Sequence, residues 1–570
     1  MRNFKRFDDV NVDLGRTVVL IGPNNMGKTT TLQALALWDA GLRAWTAAYG
    51  SSGKAPKKRP AVTINRKDLT ALPIPNALQL WKDLHVRQST RENGKQRTNN
   101  VRIDIIVEGI TNGEEWKCGL EFDYANPESL YCRALRTGEG ENPERMTVPE
   151  HALGHRIAYL PPMSGLEDRE FVRQQGEIGV LIGQGRTAQV LRNLCLKVCE
   201  EEDNSHWDCV VGHIKALFGV TMKAPIRDLV RDEITLEYLD LNNKNLDISC
   251  SGRGLQQTLL LLAYLYSNPG SALLLDEPDA HLEILRQRQV FNLLQEAAEL
   301  QGSQIIAASH SEVVLNEAAN RGTVVAFVGR PHTLNDKGSQ VLKSLTDLGF
   351  EQYLQAEQKG WVLYLENTTD LDILRTFAEI IEHRALPHLV SPFLHPVATN
   401  VPQRARDHFY GLREAKGDLV GVAIFDRLDK ELHTGTPIVE AMWKRREIEN
   451  YFCTEEVLLA YAQPKTPNDL FGRAEGIRRQ EAMRTAIEEL STALQTLGKP
   501  SPWSPDIKST DDFLDPLFKR FSEKLGVPLV LRKNEYYKLA RFVTKENIDD
   551  EIEEKLDLIA DVAEKSSPLA

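Results

Sequence analysis

The clearest chemistry in the 570-residue sequence lies in a glycine-rich segment near its start. Residues 22–29 read G-P-N-N-M-G-K-T, which fits the pattern G-x-x-x-x-G-K-[ST]; they follow a β-branched run at 17–21 and precede a helix-forming run. In that context a glycine-rich loop binds the phosphates of a nucleotide. The pattern therefore predicts a P-loop. The alternative is a glycine turn beside a surface lysine.

Each residue type in this segment suits a different part of a nucleoside triphosphate. Gly22 and Gly27 allow backbone N–H groups to approach the phosphates. Lys28 places a positive charge at the β- and γ-phosphates, and the Thr29 hydroxyl is a ligand for Mg²⁺. The helix that follows adds the positive end of its dipole. We therefore expect ATP to bind here, through Gly22, Asn25, Gly27, Lys28, Thr29 and Thr30.

An acidic pair follows an apolar run in the middle of the chain. Residues 273–278 read L-L-L-D-E-P, so Asp276 and Glu277 stand at the end of a predicted strand. We expect Asp276 to complete the magnesium site and Glu277 to orient or deprotonate the attacking water. Because acidic residues are common where strands pass into loops, ordinary loop residues are the alternative.

Two further segments offer groups that bind phosphate. Residues 251–254 read S-G-R-G before an apolar helix, so Ser251, Gly252 and Gly254 present a hydroxyl, backbone N–H groups and a helix N-terminus. A simple N-cap is the alternative role for Ser251. His310 follows a strand, and we expect it to hydrogen-bond a γ-phosphate; a structural histidine is the alternative.

A second set of carboxylates lies in the C-terminal part of the sequence. Glu366 ends the apolar run 361–365, and Asp426 ends the run 419–425. Because parallel strands end at one edge of a sheet, we expect these two side chains to meet there. Carboxylate oxygens favour Mg²⁺ or Mn²⁺. The metal site predicted here consists of Glu366, Asp370, Asp426, Asp429, Glu447 and Glu449.

This carboxylate set suits the cleavage of a phosphodiester by a metal-dependent nuclease. We assign Glu366 and Asp426 to catalysis, and we expect Lys538 to stabilise the pentavalent phosphate. The alternatives are ordinary ones. Asp370 can cap a helix, and residues 445–449, R-R-E-I-E, can form a solvated, salt-bridged face.

Two α/β units must position these groups. In residues 1–350, the runs 272–275 and 304–308 flank a helix-forming run, which is the βαβ pattern of a parallel sheet. Alternating residues at 101–105 and 116–122 predict a half-buried antiparallel sheet. Residues 165–245 are expected to form a mainly helical insertion, a candidate dimerisation arm. Residues 358–570 are expected to form a second α/β domain with a helical C-terminal part.

Composition and charge limit the choice of partners. Lys+Arg number 69 and Asp+Glu 81, a net charge of -12, which excludes a polycation that coats nucleic acid. Residues 41–106 are locally basic and form our candidate DNA surface; a flexible, solvated insertion is the alternative. No apolar run approaches the ~20 residues of a membrane-spanning helix, and no secretory segment is present. We expect a cytoplasmic protein without a membrane partner.

The order of the N-terminal motifs resembles the ATP-binding-cassette (ABC) ATPases, particularly the RecF/SMC-like heads. The P-loop, S-G-x-G, L-L-L-D-E-P-D and A-S-H-S begin at 22, 251, 273 and 308. In that family the S-G-x-G segment of one subunit covers nucleotide at the P-loop of another. The resemblance implies a homodimer or higher homo-oligomer joined by ATP, with Asp279 in the dimer-facing loop. Residues 281–283, H-L-E, depart from the usual H-L-H, and we place no glutamine-loop residue.

The C-terminal part resembles the Toprim domain of the OLD-family (overcoming lysogenization defect) nucleases. That family joins a RecF/SMC-like ATPase to a Toprim fold and includes the Gabija defence nuclease. The domain order matches along most of the chain. Toprim elements of the E-G-x-x-x-D and D-x-D types appear here as E-N-T-T-D at 366–370 and D-R-L-D at 426–429. The wider spacing moves Asp429 to another side of its turn, which implies a diverged site.

The combined expectation is an α/β protein that acts as an ATP-gated, Mg²⁺- or Mn²⁺-dependent DNA endonuclease, or nickase, of the OLD type. The resemblance implies a role in antiphage defence, with DNA and a partner defence protein as interaction partners. One alternative is a non-cutting, ATP-dependent scaffold or sensor that regulates an effector through a degenerate Toprim domain. Another is a RecF-like repair ATPase, which predicts ATP-dependent DNA binding and no role for Glu366.

Overall fold

Two compact units make up the chain, Met1–Leu342 and Lys343–Ala570. The computed structural model describes residues 1–50, 61–69, 72, 74–92, 95–111, 113–138, 144–200, 205–327, 330–334, 349–397, 399–429, 432–463 and 470–568. The division falls before the expected boundary at 350. The reason is that the helix Phe350–Lys359 packs on the strand Trp361–Leu365 and the helix Pro402–Ala415 of the second unit.

A six-stranded sheet lies at the centre of the first unit. Every neighbouring pair is parallel except the last, and the strands are mostly buried aliphatic runs, as in a sheet covered on both faces. The strands in spatial order are Ile157–Leu160, Ala272–Asp276, Gln304–Ala308, Thr17–Ile21, Thr323–Ala326 and His332–Thr333. The long helices of this layer are Lys28–Tyr49, Arg253–Tyr266, Ile284–Leu300 and Glu312–Arg321.

The expected antiparallel sheet also belongs to this unit, and it has six strands. Its inner face packs on Trp38 and Trp45 of the helix Lys28–Tyr49, around a buried Phe122. The strands in spatial order are Phe7–Asp9, Arg2–Phe4, Ile103–Thr111, Glu114–Asn126, Ser129–Ala134 and Val62–Asn65. A separate hairpin joins Arg87–Glu92 to Lys95–Asn100.

The insertion at 165–245 is helical only in its first half. Its helices are Gln175–Gly183, Leu191–Cys199 and Ser205–Phe218. The expectation of a mainly helical segment is wrong after Phe218, because Ile234, Leu236 and Tyr238 are buried and their neighbours are not, which is the two-residue period of a strand. The strands there are Thr221–Met222, Ile226–Asp228, Glu233–Thr235, Glu237–Leu239 and Asn245–Asp247.

The second unit contains a four-stranded parallel sheet with the spatial order Leu394–Pro396, Trp361–Leu365, Val420–Phe425 and Ile438–Met442. Leu363 lies opposite Val422 in the two central strands, so the strand ends before Glu366 and Asp426 share one edge. The helices are Phe350–Lys359, Thr368–Ile381, Leu386–Leu389, Pro402–Ala415, Glu455–Ala462, Leu470–Thr496, Asp515–Leu525 and Asp550–Glu564.

Short helical turns connect the larger elements. A π-helix, Ser509–Leu514, leads directly into the helix Asp515–Leu525. The remaining short elements are the α-helix Glu150–Leu153 and the 3₁₀ turns Arg66–Asp68, Ala77–Leu80, Lys82–Leu84, Thr187–Val190, Ile248–Cys250, Ile448–Tyr451, Lys533–Phe542 and Lys545–Asn547. None of the described helices combines the length and the apolar composition that crossing a lipid bilayer requires.

Candidate nucleotide and metal sites

Backbone geometry explains the two glycines of the P-loop segment. Gly22 and Gly27 have φ angles of 147° and 106°, a region that side chains disfavour. A Cβ on Gly22 would lie 2.6 Å from the carbonyl oxygen of Phe327, and a Cβ on Gly27 would overlap the ring of Phe7. The loop therefore keeps its shape only with glycine at both positions. Asn25, between them, also has a positive φ of 61°.

Lys28 lies buried at the start of the first long helix and is folded against the loop. Its Nζ donates hydrogen bonds to the carbonyl oxygens of Gly22 and Pro23 at 2.7 and 2.9 Å. Burial lowers the pKa of Lys28 to about 8, although Asp276 and Glu277 act to raise it. An anion in the loop would restore the charged form, because it would replace the solvation that burial removes.

Thr29 and Asp276, predicted from separate motifs, are in contact. Thr29 Oγ1 donates a hydrogen bond of 3.1 Å to Asp276 Oδ1, and Tyr159 OH donates one of 3.3 Å to Asp276 Oδ2. Burial raises the pKa of Asp276 to about 6, and the bond from Thr29 opposes that rise. The two predicted magnesium ligands are therefore adjacent. Sequence reasoning missed Tyr159, because a tyrosine in a buried strand has the pattern of a core residue.

The remaining acidic and basic groups of this site surround Lys28. Glu277 is exposed, has a left-handed φ of 51°, and donates its backbone N–H to the Ala308 carbonyl at 2.9 Å. Burial lowers the pKa of His310 and Lys28 adds to the effect, whereas Glu277 and Asp279 oppose it. Burial raises the pKa of Asp279. His310 therefore lies where Lys28 and both acidic residues influence it.

The S-G-R-G segment begins a helix as expected, but Ser251 is not its cap. The helix starts at Arg253 with Gly252 as N-cap, and no side chain caps it. Ser251 Oγ instead donates to the carbonyl oxygen of Ile248 at 2.7 Å, which rules out the N-cap alternative for that hydroxyl. Gly252 and Arg253 are exposed. Thr30 and Gly254 are partly buried at their respective helix starts.

In the second unit, five carboxylates lie close enough for their charges to raise one another's pKa values; we call them the carboxylate group, Glu366, Asp370, Asp426, Glu447 and Glu449. Glu366 and Asp426 follow two neighbouring parallel strands at one edge of the sheet. Burial raises the pKa of Asp426 to about 9, and the charges of Glu366, Glu449 and Glu447 add to the effect. Burial also raises the pKa of Glu449 well above its usual range, with further contributions from Glu447 and Asp370.

Two members of the group are held by local hydrogen bonds. Asp370 Oδ2 accepts the backbone N–H of Asn367 at 3.1 Å, so it caps the helix Thr368–Ile381 and also faces Glu366. Burial raises the pKa of Asp370 to about 6. Glu447 Oε1 accepts hydrogen bonds from Thr510 N and Oγ1 at 2.5 and 2.7 Å. The π-helix thus fixes the Glu447 carboxylate.

Asp429 does not join the carboxylate group. It is exposed, and its charge is not among those that shift the pKa values of Asp370, Asp426, Glu447 or Glu449. Asp429 as a metal ligand stays a prediction, since its side chain is exposed and apart from the other carboxylates here. The three-residue spacing after Asp426 carries the second aspartate out of the buried strand end and into solvent.

The lysine beside the carboxylate group is Lys508 rather than Lys538. Lys538 pairs with Glu535, and the charges that raise its pKa are those of Glu535, Tyr537 and Tyr461. The pKa of Lys508 is raised first by a hydrogen bond to Asp511 and further by Glu447 and Glu366. A catalytic role for Lys538 stays a prediction, and its side chain is occupied by Glu535 in this structure. A lysine directly before the turn that binds Glu447 carries no motif by which the sequence could identify it.

The composition of the carboxylate group fits a hard divalent cation. All donors are carboxylate oxygens, and their mutual repulsion is relieved either by protons, as the raised pKa values indicate, or by a cation. Within the ranges that the structure describes, no three acidic, histidine or cysteine side chains stand in a finished metal-ligand arrangement. Binding would therefore require the side chains to close around the ion.

The basic segment 41–106 is only partly covered by the structure. Residues 51–60, which contain the K-K-R run, lie outside the described residues, as do 70, 71, 73, 93 and 94. The described part includes the hairpin Arg87–Glu92 and Lys95–Asn100. A DNA surface in this segment stays a prediction.

Comparison with known proteins supports the first unit. A family model described as "AAA domain, putative AbiEii toxin, Type IV TA system" matches residues 216–316, which contain S-G-R-G, the acidic pair and His310. No curated protein matches the chain. The match and the contact between Thr29 and Asp276 define an ATPase-type P-loop domain of mixed α/β fold in the first unit.

Several solved structures are similar at low identity. An SMC head bound to the C-winged helix domain of ScpA is 13% identical, covers 58% of this chain and 95% of its own, and has a TM-score of 0.33. The SMC head domain from Thermotoga maritima is 14% identical, with coverages of 58% and 95% and a TM-score of 0.29. The Smc head with an extended coiled coil from Pyrococcus furiosus, bound to the C-terminal domain of ScpA, is 13% identical, with coverages of 60% and 97% and a TM-score of 0.32. Scores this low support no further conclusion.

Proposed function

We propose that this protein is an ATP-dependent DNA endonuclease of the OLD type, in which nucleotide in the first unit controls phosphodiester cleavage by a Toprim-like second unit. One observation supports the proposal: acidic side chains from three segments, 366–370, 426 and 447–449, act on one another's charge at the edge of a parallel sheet. Several converging carboxylates are what metal-dependent cleavage of a phosphodiester requires.

The residues that would hold Mg²⁺ or Mn²⁺ are Glu366, Asp370, Asp426, Glu447 and Glu449. A bound cation supplies Lewis-acid activation of the phosphate and of water. The chain's own residues prepare the site. Thr510 fixes the Glu447 carboxylate, and burial with the neighbouring charges raises the pKa of Asp426 to about 9, so a cation would displace its proton. The Lys508 ammonium would offset negative charge on the phosphate.

The first unit would bind and hydrolyse ATP. Lys28 would exchange its bonds to loop carbonyls for bonds to phosphate oxygens, and Thr29 with Asp276 would hold Mg²⁺. Glu277 would orient the attacking water. Ser251 and Gly252 of one copy would cover ATP bound to another, so that nucleotide joins a homodimer.

A plasmid assay tests the proposal. Supercoiled DNA is incubated with Mg²⁺ or Mn²⁺, with and without ATP, and conversion to the nicked form is measured. We expect Glu366→Gln to abolish nicking under all conditions, because it removes a charged ligand. Lys28→Ala should abolish the effect of ATP and leave the metal site intact.

Asp429→Asn provides the matched control, since Asp429 is exposed and lies outside the carboxylate group. It should nick DNA like the wild type. Nicking by Glu366→Gln at the wild-type rate would refute the assignment of the catalytic carboxylates. Absence of nicking by the wild type under every condition would refute the nuclease itself.

A non-cutting scaffold is the second candidate function. It is favoured by the absence, within the described residues, of a finished ligand arrangement and by the exposure of Asp429. This alternative predicts ATP-dependent self-association and DNA or partner binding, with no nicking and no effect of Glu366→Gln. Size-exclusion chromatography with and without ATP, run beside the plasmid assay, separates the two.

Antiphage defence is the biological role that we propose for this activity. The matching family model is described as a putative toxin, which agrees with an activity that cells must restrain. Bacteria that express the wild-type chain, Glu366→Gln or Lys28→Ala should be compared for phage plaque formation. Protection by the wild type alone would support the role, and equal plaque numbers would argue against it.

A further inference from the structure

Two lysines and one aspartate form a charged bridge in the second unit; we call Lys508, Asp511 and Lys533 the lysine bridge. Lys508 Nζ lies 2.6 Å from Asp511 Oδ2, and Lys533 Nζ is hydrogen-bonded to Asp511 Oδ1. Each carboxylate oxygen thus binds a different ammonium group. All three side chains are roughly half exposed, with fractions of 51%, 41% and 56%.

We infer that the lysine bridge is a binding site for the phosphodiester backbone of DNA, in which Asp511 occupies the place of a backbone phosphate until DNA binds. The inference deepens the proposed function and rests on it for the identity of the polyanion. A phosphodiester carries one negative charge on two non-bridging oxygens, as the Asp511 carboxylate does. It can therefore satisfy both lysines after Asp511 turns away.

The position of the bridge relates it to the carboxylate group. Glu366 and Glu447 contribute to the raised pKa of Lys508, so its ammonium group faces that group as well as Asp511. Thr510 of the π-helix, which lies between Lys508 and Asp511 in sequence, fixes Glu447. The lysine bridge therefore adjoins the carboxylate group through Lys508, whose charge Glu366 and Glu447 influence.

Exchange of Asp511 for a phosphate requires little free energy. Solvent-exposed ion pairs contribute little to stability, because water and salt screen them. DNA phosphates release condensed counterions when lysines neutralise them, which favours the exchange. The bridge therefore suits a reversible site better than a structural one.

A second basic group near the site has the same arrangement. Arg427 directly follows Asp426, and its Nη2 lies 2.7 Å from Asp506 Oδ1, an aspartate with 61% of its side chain exposed. Arg427 also donates from Nη1 to the Lys444 carbonyl at 3.3 Å, and its backbone N–H bonds to Arg446. Basic side chains beside the carboxylate group are thus paired with exposed aspartates that DNA can replace.

The experiment measures binding of the full-length protein to a short fluorescent DNA duplex by anisotropy. EDTA in one buffer and Ca²⁺ in another keep cleavage from contributing. The variants are Lys533→Gln and Asp511→Asn. Lys524→Gln is the matched control, because Lys524 lies in the same unit and pairs with Glu489 at 2.7 Å. Melting temperatures of all variants confirm that these surface changes leave the fold intact.

We expect Lys533→Gln to raise the Kd about fivefold and to reduce the slope of log K against log salt by about 1. Asp511→Asn should lower the Kd, because it removes the competing charge and leaves both lysines. Lys524→Gln should change little. Equal effects of Lys533→Gln and Lys524→Gln, weaker binding by Asp511→Asn, or no binding by the wild type in either buffer would overturn the inference.

The outcome is separable from that of the nuclease proposal. Glu366→Gln should abolish nicking and retain DNA binding that depends on Lys533. DNA binding of this kind without any nicking by the wild type would leave the lysine bridge in place and refute the nuclease. Nicking by the wild type, together with unchanged DNA binding by Lys533→Gln, would support the nuclease and refute the lysine bridge as a DNA site.

Discussion

Asp426 and Glu366 stand at the ends of two neighbouring parallel strands, where the charge of one carboxyl acts on the other. Like charges held together disfavour ionisation of both groups. Burial and the charge of Glu366 raise the pKa of Asp426 to about 9, which favours its protonated form at neutral pH. The pair is thus a neutralised form of a strongly acidic site.

Replacement of Asp426 by asparagine should separate metal binding from folding. The asparagine amide can still donate a hydrogen bond to Glu366, so the melting temperature without metal should stay within about 2 °C of wild type. The rise in melting temperature caused by Mn²⁺ should disappear, because a charged ligand is lost. Differential scanning fluorimetry with and without Mn²⁺ measures both. Asp429→Asn, the control, should retain the Mn²⁺ effect, and loss of the effect in both variants would contradict the carboxylate group.

The two lysines assigned to cleavage can be compared directly. Lys508→Ala should lower the nicking rate about 100-fold or more, a size typical of removing one electrostatic contact to a reacting group. Lys538→Ala should have no such effect, because Lys538 pairs with Glu535. Rates at saturating DNA exclude a mere loss of affinity. A larger defect in Lys538→Ala would restore the interpretation drawn from the sequence.

Glu277 and Lys28 should affect the nucleotide cycle at different steps. Glu277→Gln should bind ATP but hydrolyse it at least about 100-fold more slowly, since the general base is lost. An ATP-linked dimer should therefore accumulate, visible by light scattering. Lys28→Ala should neither bind ATP nor dimerise with it. Rapid hydrolysis by Glu277→Gln would show that another group activates the water.

Titration of Asp104, in the antiparallel sheet, should make the stability of the protein depend on pH. Burial, reinforced by Glu121, raises its pKa from 3.8 to about 6, and among the described residues its Oδ1 has no hydrogen-bond partner. Because the folded state holds this proton more tightly, the residue's contribution to the free energy of unfolding grows as the pH falls through the folded pKa of about 6 towards the unfolded value of 3.8.

Asp104→Asn should therefore raise the free energy of unfolding by about 1–2 kcal/mol at pH ~8, and the gain should shrink towards pH ~5. Denaturant unfolding of both proteins at several pH values measures this gain in the free energy of unfolding. Asp123→Asn is the control: Asp123 accepts a 2.8 Å bond from Arg102, so this variant should lose stability. A gain that does not vary with pH would show that Asp104 does not titrate as described.

Local patterns predicted the nucleotide site well. The positions of Gly22, Lys28 and Thr29 follow from a contiguous motif whose backbone shape requires those residue types. The acidic pair at 276 was placed by the strand before it, and the strand order brings it to Thr29. Tyr159 was missed because its contact with Asp276 depends on which strands are neighbours.

The site in the second unit was only partly predictable from the sequence. The strands before Glu366 and Asp426 are parallel neighbours, as expected, so the two residues share one edge of the sheet. The positions of Asp429 and Lys508 depend on the path that the chain takes after the strands. Hydrophobic periodicity does not encode that path. The strands at 221–247 were missed because a two-residue alternation over so few residues is hidden among charged, helix-forming neighbours.

The bond between Glu447 and Thr510 has a consequence for synthesis of the protein. Glu366 and Asp426 leave the ribosome well before Thr510, so a nascent chain that already contains both strands still lacks the partner that fixes Glu447. Such a chain cannot assemble the complete acidic site. The proposed metal site can therefore be completed only after residue 510 has been synthesised and has folded against Glu447.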